Sequence, residues 1–197
     1  MSPLWLHLRA RHLTGVSLAL PLVAVLTQEA AQRLVVEQGG AAARLPVTAV
    51  APLVVTVLLS LTLAGADVEL DRSQPRLTWR LRAGHTLAAL AVAGSALAVT
   101  TLEEPQVYGA GAMVRNAVGL FGLILLSTGL WSPRANWVPA FAYTVAVSAV
   151  APDSSSGAVW WAWLIQPGRL DPSWIAAVAL LTAGLIVYVR RGPSRNG

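Results

Sequence analysis

Lysine and cysteine are both missing from the 197 residues, and charge of either sign is scarce. Without cysteine there is no disulfide, no thiolate metal ligand and no cysteine nucleophile. Asp, Glu, Lys and Arg together make up 12% of the chain, against about 25% in a soluble domain, which leaves too little polar surface for a unit of this size in water. Nucleotide motifs are lacking as well: neither GxxxxGK[ST] nor a dinucleotide glycine fingerprint occurs. His7, His12 and His85 have no HExxH pattern around them, so no metal site is expected. Ser154–Ser156 has no evident base and orienting partner, and Glu103-Glu104 is followed by Pro105 with no Arg or His at helical spacing. No catalytic residue is therefore assigned, and the chain is not read as an enzyme.

What is present is apolar length. Hydrophobic residues make up 55% of the sequence, in continuous runs rather than the alternation of a β-barrel. The expected class is an all-α polytopic membrane protein, a single transmembrane domain over residues 1–197. Six spans are expected: Leu13–Ala31, Leu45–Ala66, Ala83–Leu102, Gly111–Trp131, Trp137–Ala151 and Trp174–Val189. The fifth is short, because Pro152 and Asp153 close it. The first is expected to be retained rather than cleaved as a signal peptide, since it ends in Gln28-Glu29 without a small-residue cleavage pattern.

All 14 basic residues are arginine. With the N-terminus in the cytoplasm, ten fall on inner segments and three on outer ones, with Arg115 inside the fourth span. That asymmetry places both termini in the cytoplasm. The net charge of +5 thus describes topology rather than a nucleic-acid face. The eight tryptophans lie at span edges or in connections, where an indole buries its ring and keeps its N–H wet.

Four segments carry the functional candidates. Residues 1–12 (MSPLWLHLRARH) read as an interfacial helix with Trp5, Leu8 and Arg9. The inner connection 67–82 (DVELDRSQPRLTWRLR) starts acidic and ends basic, and Pro75 can open a helix carrying Arg76, Leu77, Trp79 and Arg80. It is either a positive-inside anchor or a partner-docking segment. The outer connection 153–172 holds an apolar piece too short to cross, with Trp160, Trp161 and Trp163. It is expected to lie on the outer leaflet or dip in and return. In the fourth span, Arg115 and Asn116 sit near the outer end. Either the guanidinium snorkels to headgroups, or it meets Glu103, Glu104, or an anionic lipid or substrate at an outer mouth. Small residues in Gly119–Gly129, Gly15/Ala19 and Gly94/Ala98 could allow close helix packing.

This layout resembles the membrane subunit of an ABC-2 type ABC exporter. The resemblance rests on the six-span pattern, MSPLWLHLRARHL, DVELDRSQPRLTWRLR and GAVWWAWLIQP, and RNAVGLFGLILLSTGLWSPRANWVPAFAY is similar to small permease-like proteins of high-GC actinobacteria. It implies a coupling segment over Pro75–Arg82, with Leu77 and Trp79 docking and Arg76 and Arg80 orienting. It also implies a cytoplasmic ABC-type ATPase partner that carries ATP and Mg, a second permease copy, and a location in a bacterial plasma membrane among lipids. A noncatalytic accessory or scaffold subunit is the alternative. An ion-coupled transporter ranks lower, because no acidic residue falls in an expected span centre.

Overall fold

In the computed structural model, residues 13–38, 40–63, 75–100, 109–131, 133–150, 160–166 and 172–193 are described. They form six α-helices, α1 (Leu13–Gln38), α2 (Gly40–Ser60), α3 (Pro75–Val99), α4 (Ala110–Leu130), α5 (Val138–Val150) and α6 (Pro172–Arg191), with a short 3-10 segment, Trp160–Ile165, before α6.

The six-span expectation does not hold. Among the described residues, three helices are long and apolar enough to cross a membrane, over Arg82–Val99, Ala110–Leu130 and Pro172–Arg191. The other three carry shorter apolar stretches, Leu18–Ala30, Val47–Ser60 and Val138–Ala149. Counted over the described residues alone, these cover about 18–21 Å of apolar helix, against a hydrocarbon core of about 30 Å. The reasons are local. Helix α1 stays helical past Ala30, but Gln32, Arg33 and Glu37 end its apolar character, and Glu29 and Arg33 form an exposed i,i+4 ion pair at 3.8 Å. Helix α5 is only 13 residues long. The apolar perimeter nevertheless remains that of a multi-pass helical membrane protein: Leu18 on α1 is 76% exposed and Ile175 on α6 is 73% exposed.

Helix α4 is the axis of the bundle, with Leu120, Phe121, Ile124 and Leu125 fully buried. Its nearest neighbour is α6, and glycine sets their separation. A Cβ on Gly122 would stand 2.5 Å from the Leu180 carbonyl carbon, one on Gly184 would collide with the Gly122 carbonyl, and one on Gly129 would meet Val187 Cγ1 at 2.8 Å. Gly122 faces Leu180-Leu181 and Gly129 faces Val187-Tyr188, so the two helices run parallel in constant register. Backbones in such contact gain dispersion over a long seam, which is how helices associate where lipid removes the hydrophobic drive. The other two small-residue pairs have no such role. A Cβ at Gly15 would meet nothing within 4 Å, and one at Gly94 only Val114 Cγ1 at 3.9 Å.

Long-range bonds order the remaining helices. Thr48, early in α2, meets Asn116, early in α4, while the Tyr188 hydroxyl donates to the Leu63 carbonyl just past α2 at 2.6 Å. Helix α2 is therefore parallel to α4 and α6. Helix α3 is antiparallel: His85 Nε2 lies 3.1 Å from Thr62 Oγ1, and Arg82 packs on Gly192, whose φ of 69° ends α6 in the left-handed region glycine favours.

Gly184→Leu should lower the thermal unfolding midpoint in detergent, at an overpacking cost of about 1–3 kcal/mol or more, whereas Gly94→Ala should stay within about 0.5 kcal/mol. Equal losses in the two variants would remove the α4–α6 seam as the determinant of packing.

Candidate functional site

Two polar centres stand at opposite ends of the bundle. At the end where α4 and α6 begin, Arg115 and Asn116 are both 0% exposed, so the guanidinium does not snorkel. The physical reason is the supply of oxygen acceptors around it. Arg115 Nε and Nη2 donate to Asn116 Oδ1 at 3.2 and 3.0 Å, Nη2 also donates to the Gln166 carbonyl at 2.7 Å, and Nη1 donates to Ser173 Oγ at 3.1 Å. Asn116 Nδ2 in turn donates at 2.7 Å to both the Thr48 and the Leu164 carbonyls. The amide orientation follows from this network, since a flipped amide would set N–H against N–H and oxygen against oxygen.

Those two carbonyls are orphans by sequence. The donor for Thr48 in an α-helix would be residue 52, which is Pro52, and the donor for Leu164 in a 3-10 turn would be residue 167, which is Pro167. Proline has no N–H, so each carbonyl would be a buried acceptor without its helical partner, and Asn116 supplies both. The cation also sits where the closing carbonyls of the 3-10 segment collect, which offsets its position near the positive N-termini of α4 and α6.

The network seats the 3-10 segment among the helix ends. Trp163 is 3% exposed and lies over Gly119, where a Cβ would come within 2.8 Å of its ring carbons. Gly119 is about 14 Å along α4 from its first residue. Tyr143 stacks on Trp163 with centroids 5.2 Å apart and donates its hydroxyl to the Trp161 carbonyl at 2.6 Å. Arg115, Asn116, Trp161 and Trp163 are thus brought together. Trp160 lies in the 3-10 segment with its side chain outside the described set, and Glu103 and Glu104 lie outside the described residues, as do Trp5, Leu8 and Arg9.

At the opposite end, Pro75, Arg76, Leu77, Trp79 and Arg80 fall in the first turns of α3, continuous with the span from Arg82 rather than in a separate connection. The side chains of Pro75, Arg76 and Leu77 lie outside the described set. Trp79 is 47% exposed, and the Arg80 guanidinium stands 5.1 Å over its ring. Arg80, Arg82, Arg134, Arg190 and Arg191 gather at this end. Behind them lie the His85–Thr62 contact, the Tyr188–Leu63 bond and Asn136 Nδ2 donating to Thr128 Oγ1 at 3.0 Å.

Sequence reasoning missed Thr48, Gln166, Ser173 and Tyr143 as members of the first centre. Pro52 and Pro167 carried a usable signal, because each marks a carbonyl that needs an outside donor. Among the described residues, no group of His, Cys, Asp or Glu could hold a metal. No protein-family model, no curated protein and no solved structure matches the chain.

Asn116→Ala leaves a buried cation short of its principal acceptor and should cost about 3–5 kcal/mol. Pro52→Ala supplies an N–H to Thr48, so its effect on stability should be more favourable by about 1 kcal/mol in the Asn116→Ala background than in the wild type. A double-mutant cycle of unfolding in detergent reads this coupling, and strict additivity would show that the two donors do not serve one carbonyl.

Proposed function

We propose that this multi-pass protein is the membrane subunit of a transport complex and docks a cytoplasmic ATPase through the start of α3. The observation that carries the reading is the Trp79–Arg80 pair, a half-exposed indole under a guanidinium on about two helical turns before the membrane-crossing part of α3. Tryptophan and arginine are the side chains that most often anchor a protein interface, because each covers a large area with few rotatable bonds per contact. The basic end formed by Arg80, Arg134, Arg190 and Arg191 supports a cytoplasmic assignment for it under the positive-inside rule, and with it cytoplasmic termini. In this reading ATP and Mg belong to the partner, and the chain transmits the partner's closure along α3 into the bundle. The exporter role rests on the resemblance to ABC-2 permeases.

The second reading is a noncatalytic accessory subunit. It is favoured by the closed interior, in which Leu120, Phe121, Ile124 and Leu125 on α4 are fully buried and the Arg115 network pins α2, α4, α6 and the 3-10 segment together. Among the described residues, three helices rather than the six of the permease family are long and apolar enough to cross a membrane.

Affinity purification from native membranes, with mass spectrometry of what is retained, separates them. The wild type should retain a P-loop ATPase, and Trp79→Ala with Arg80→Ala should lower its recovery about tenfold or more at unchanged folded yield. Undiminished recovery would overturn the docking face, and stable membrane partners with no ATPase would favour the accessory subunit.

A further inference from the structure

A cavity of about 980 Å³ opens between the start of α1, the end of α2 and the connection that precedes α5, a size within the range of about 300–1,000 Å³ usual for small-molecule sites. Most of its wall is apolar, with Val16, Ala19, Leu58 and Leu61 among the lining residues, and Asn136 is the exception. Asn136 is 2% exposed, and its Nδ2 donates to Thr128 Oγ1 on α4 at 3.0 Å. Thr128 fixes the orientation of that amide. Its hydroxyl hydrogen is already given to the Ile124 carbonyl at 2.8 Å, so Oγ1 can only accept, and the amide must turn its nitrogen inward. Oδ1 therefore points away from α4. Among the described residues no donor reaches it, yet it is not sealed within the protein, so it opens on the cavity that Asn136 lines.

An amide oxygen in an apolar enclosure is costly to leave without a donor, so the site calls for one. The other polar groups decide which kind. Ser60 gives its hydrogen to the Val57 carbonyl at 2.7 Å and can offer the cavity only an oxygen. Arg134 stands on the connection side but already has a partner, so it calls for no anion. Among the described lining residues there is no carboxylate to hold a cation, and Arg134 would repel one. The fitting group is a neutral O–H on an apolar body.

We propose that this cavity binds a neutral lipid carrying a free hydroxyl, which donates to Asn136 Oδ1 while the hydrocarbon lies against the α1 and α2 walls. Asn136 selects for the donor and the apolar wall selects for the chain. Trp137, 40% exposed beside Asn136, places the hydroxyl end at the level of the interface, where a polar head with an apolar tail is at home.

The test is native mass spectrometry of the purified full chain, titrated separately with oleyl alcohol and methyl oleate, two neutral lipids of like hydrocarbon of which only the first has a donor. The wild type should retain the alcohol about tenfold better than the ester. Asn136→Leu should bring the two to parity. That variant also gives up the bond to Thr128, so Thr128→Val is its control: it removes the same bond, keeps Oδ1 and should leave the alcohol preferred. A Cβ at Gly15 or at Gly84 meets nothing within 4 Å, but of the two only Gly15 lines the cavity. Gly15→Leu should therefore lower retention of both compounds at an unchanged thermal midpoint, and Gly84→Leu should lower neither. Parity in the wild type, which hydration of Oδ1 would produce, would overturn the proposal. So would a preference that survives Asn136→Leu, one that is lost in Thr128→Val, or unchanged retention in Gly15→Leu.

Discussion

A proline inside a helical turn leaves an upstream carbonyl without its donor, and in a medium without water that oxygen must be satisfied by protein. Pro52 and Pro167 create two such oxygens, on Thr48 in α2 and on Leu164 in the 3-10 segment, and both point at Asn116 Nδ2. The amide can serve them only if its own oxygen faces away, and Arg115 holds it there with two N–H groups. The guanidinium has remaining donors, which reach the Gln166 carbonyl and the Ser173 hydroxyl. One adjacent pair of side chains on α4 thus joins α2, α6 and the 3-10 segment. Each member would be costly to bury alone, and together they satisfy one another.

The rest of the bundle is consistent with that anchor. Arg115 can reach Ser173 only if the start of α6 lies beside the start of α4, and the Gly122, Gly129 and Gly184 contacts carry the same register to the other end. There the Tyr188 hydroxyl closes on Leu63, so α2, α4 and α6 are tied at both extremes. The buried centre is rigid and structural in character, whereas the opposite end presents an exposed indole, a basic cluster and an open apolar groove. The Arg115 centre is therefore architectural, and the docking face proposed above lies at the basic end.

Legibility in the sequence followed the range of the interaction. The apolar runs Gly111–Trp131 and Trp174–Val189 lie within a residue or two of α4 and α6, because hydropathy is a local property. The glycines of Gly119–Gly129 looked no different from Gly15 and Gly94, yet Gly119 lies against the Trp163 ring and Gly122 and Gly129 against α6, while Gly15 and Gly94 have no close contact. Arg115 was legible as anomalous but not as buried. Its depth permits snorkelling, and what keeps it inside is the Asn116 amide oxygen together with the Gln166 carbonyl and the Ser173 hydroxyl, the last two of which no window around residue 115 contains. The six expected spans came from counting apolar runs, which does not distinguish a crossing helix from a shorter one packed beside it.

By itself the sequence determined the environment and the local chemistry: a chain with 12% charged residues and long apolar runs belongs with lipid, and a proline inside a helical turn removes a stated hydrogen bond. Tertiary structure alone decided which donor answers each orphaned carbonyl, which glycines become contacts and that Arg115 is buried. Those outcomes depend on the pairing of residues tens of positions apart, a choice made by packing the whole bundle and by the high cost of leaving a polar group buried without a partner.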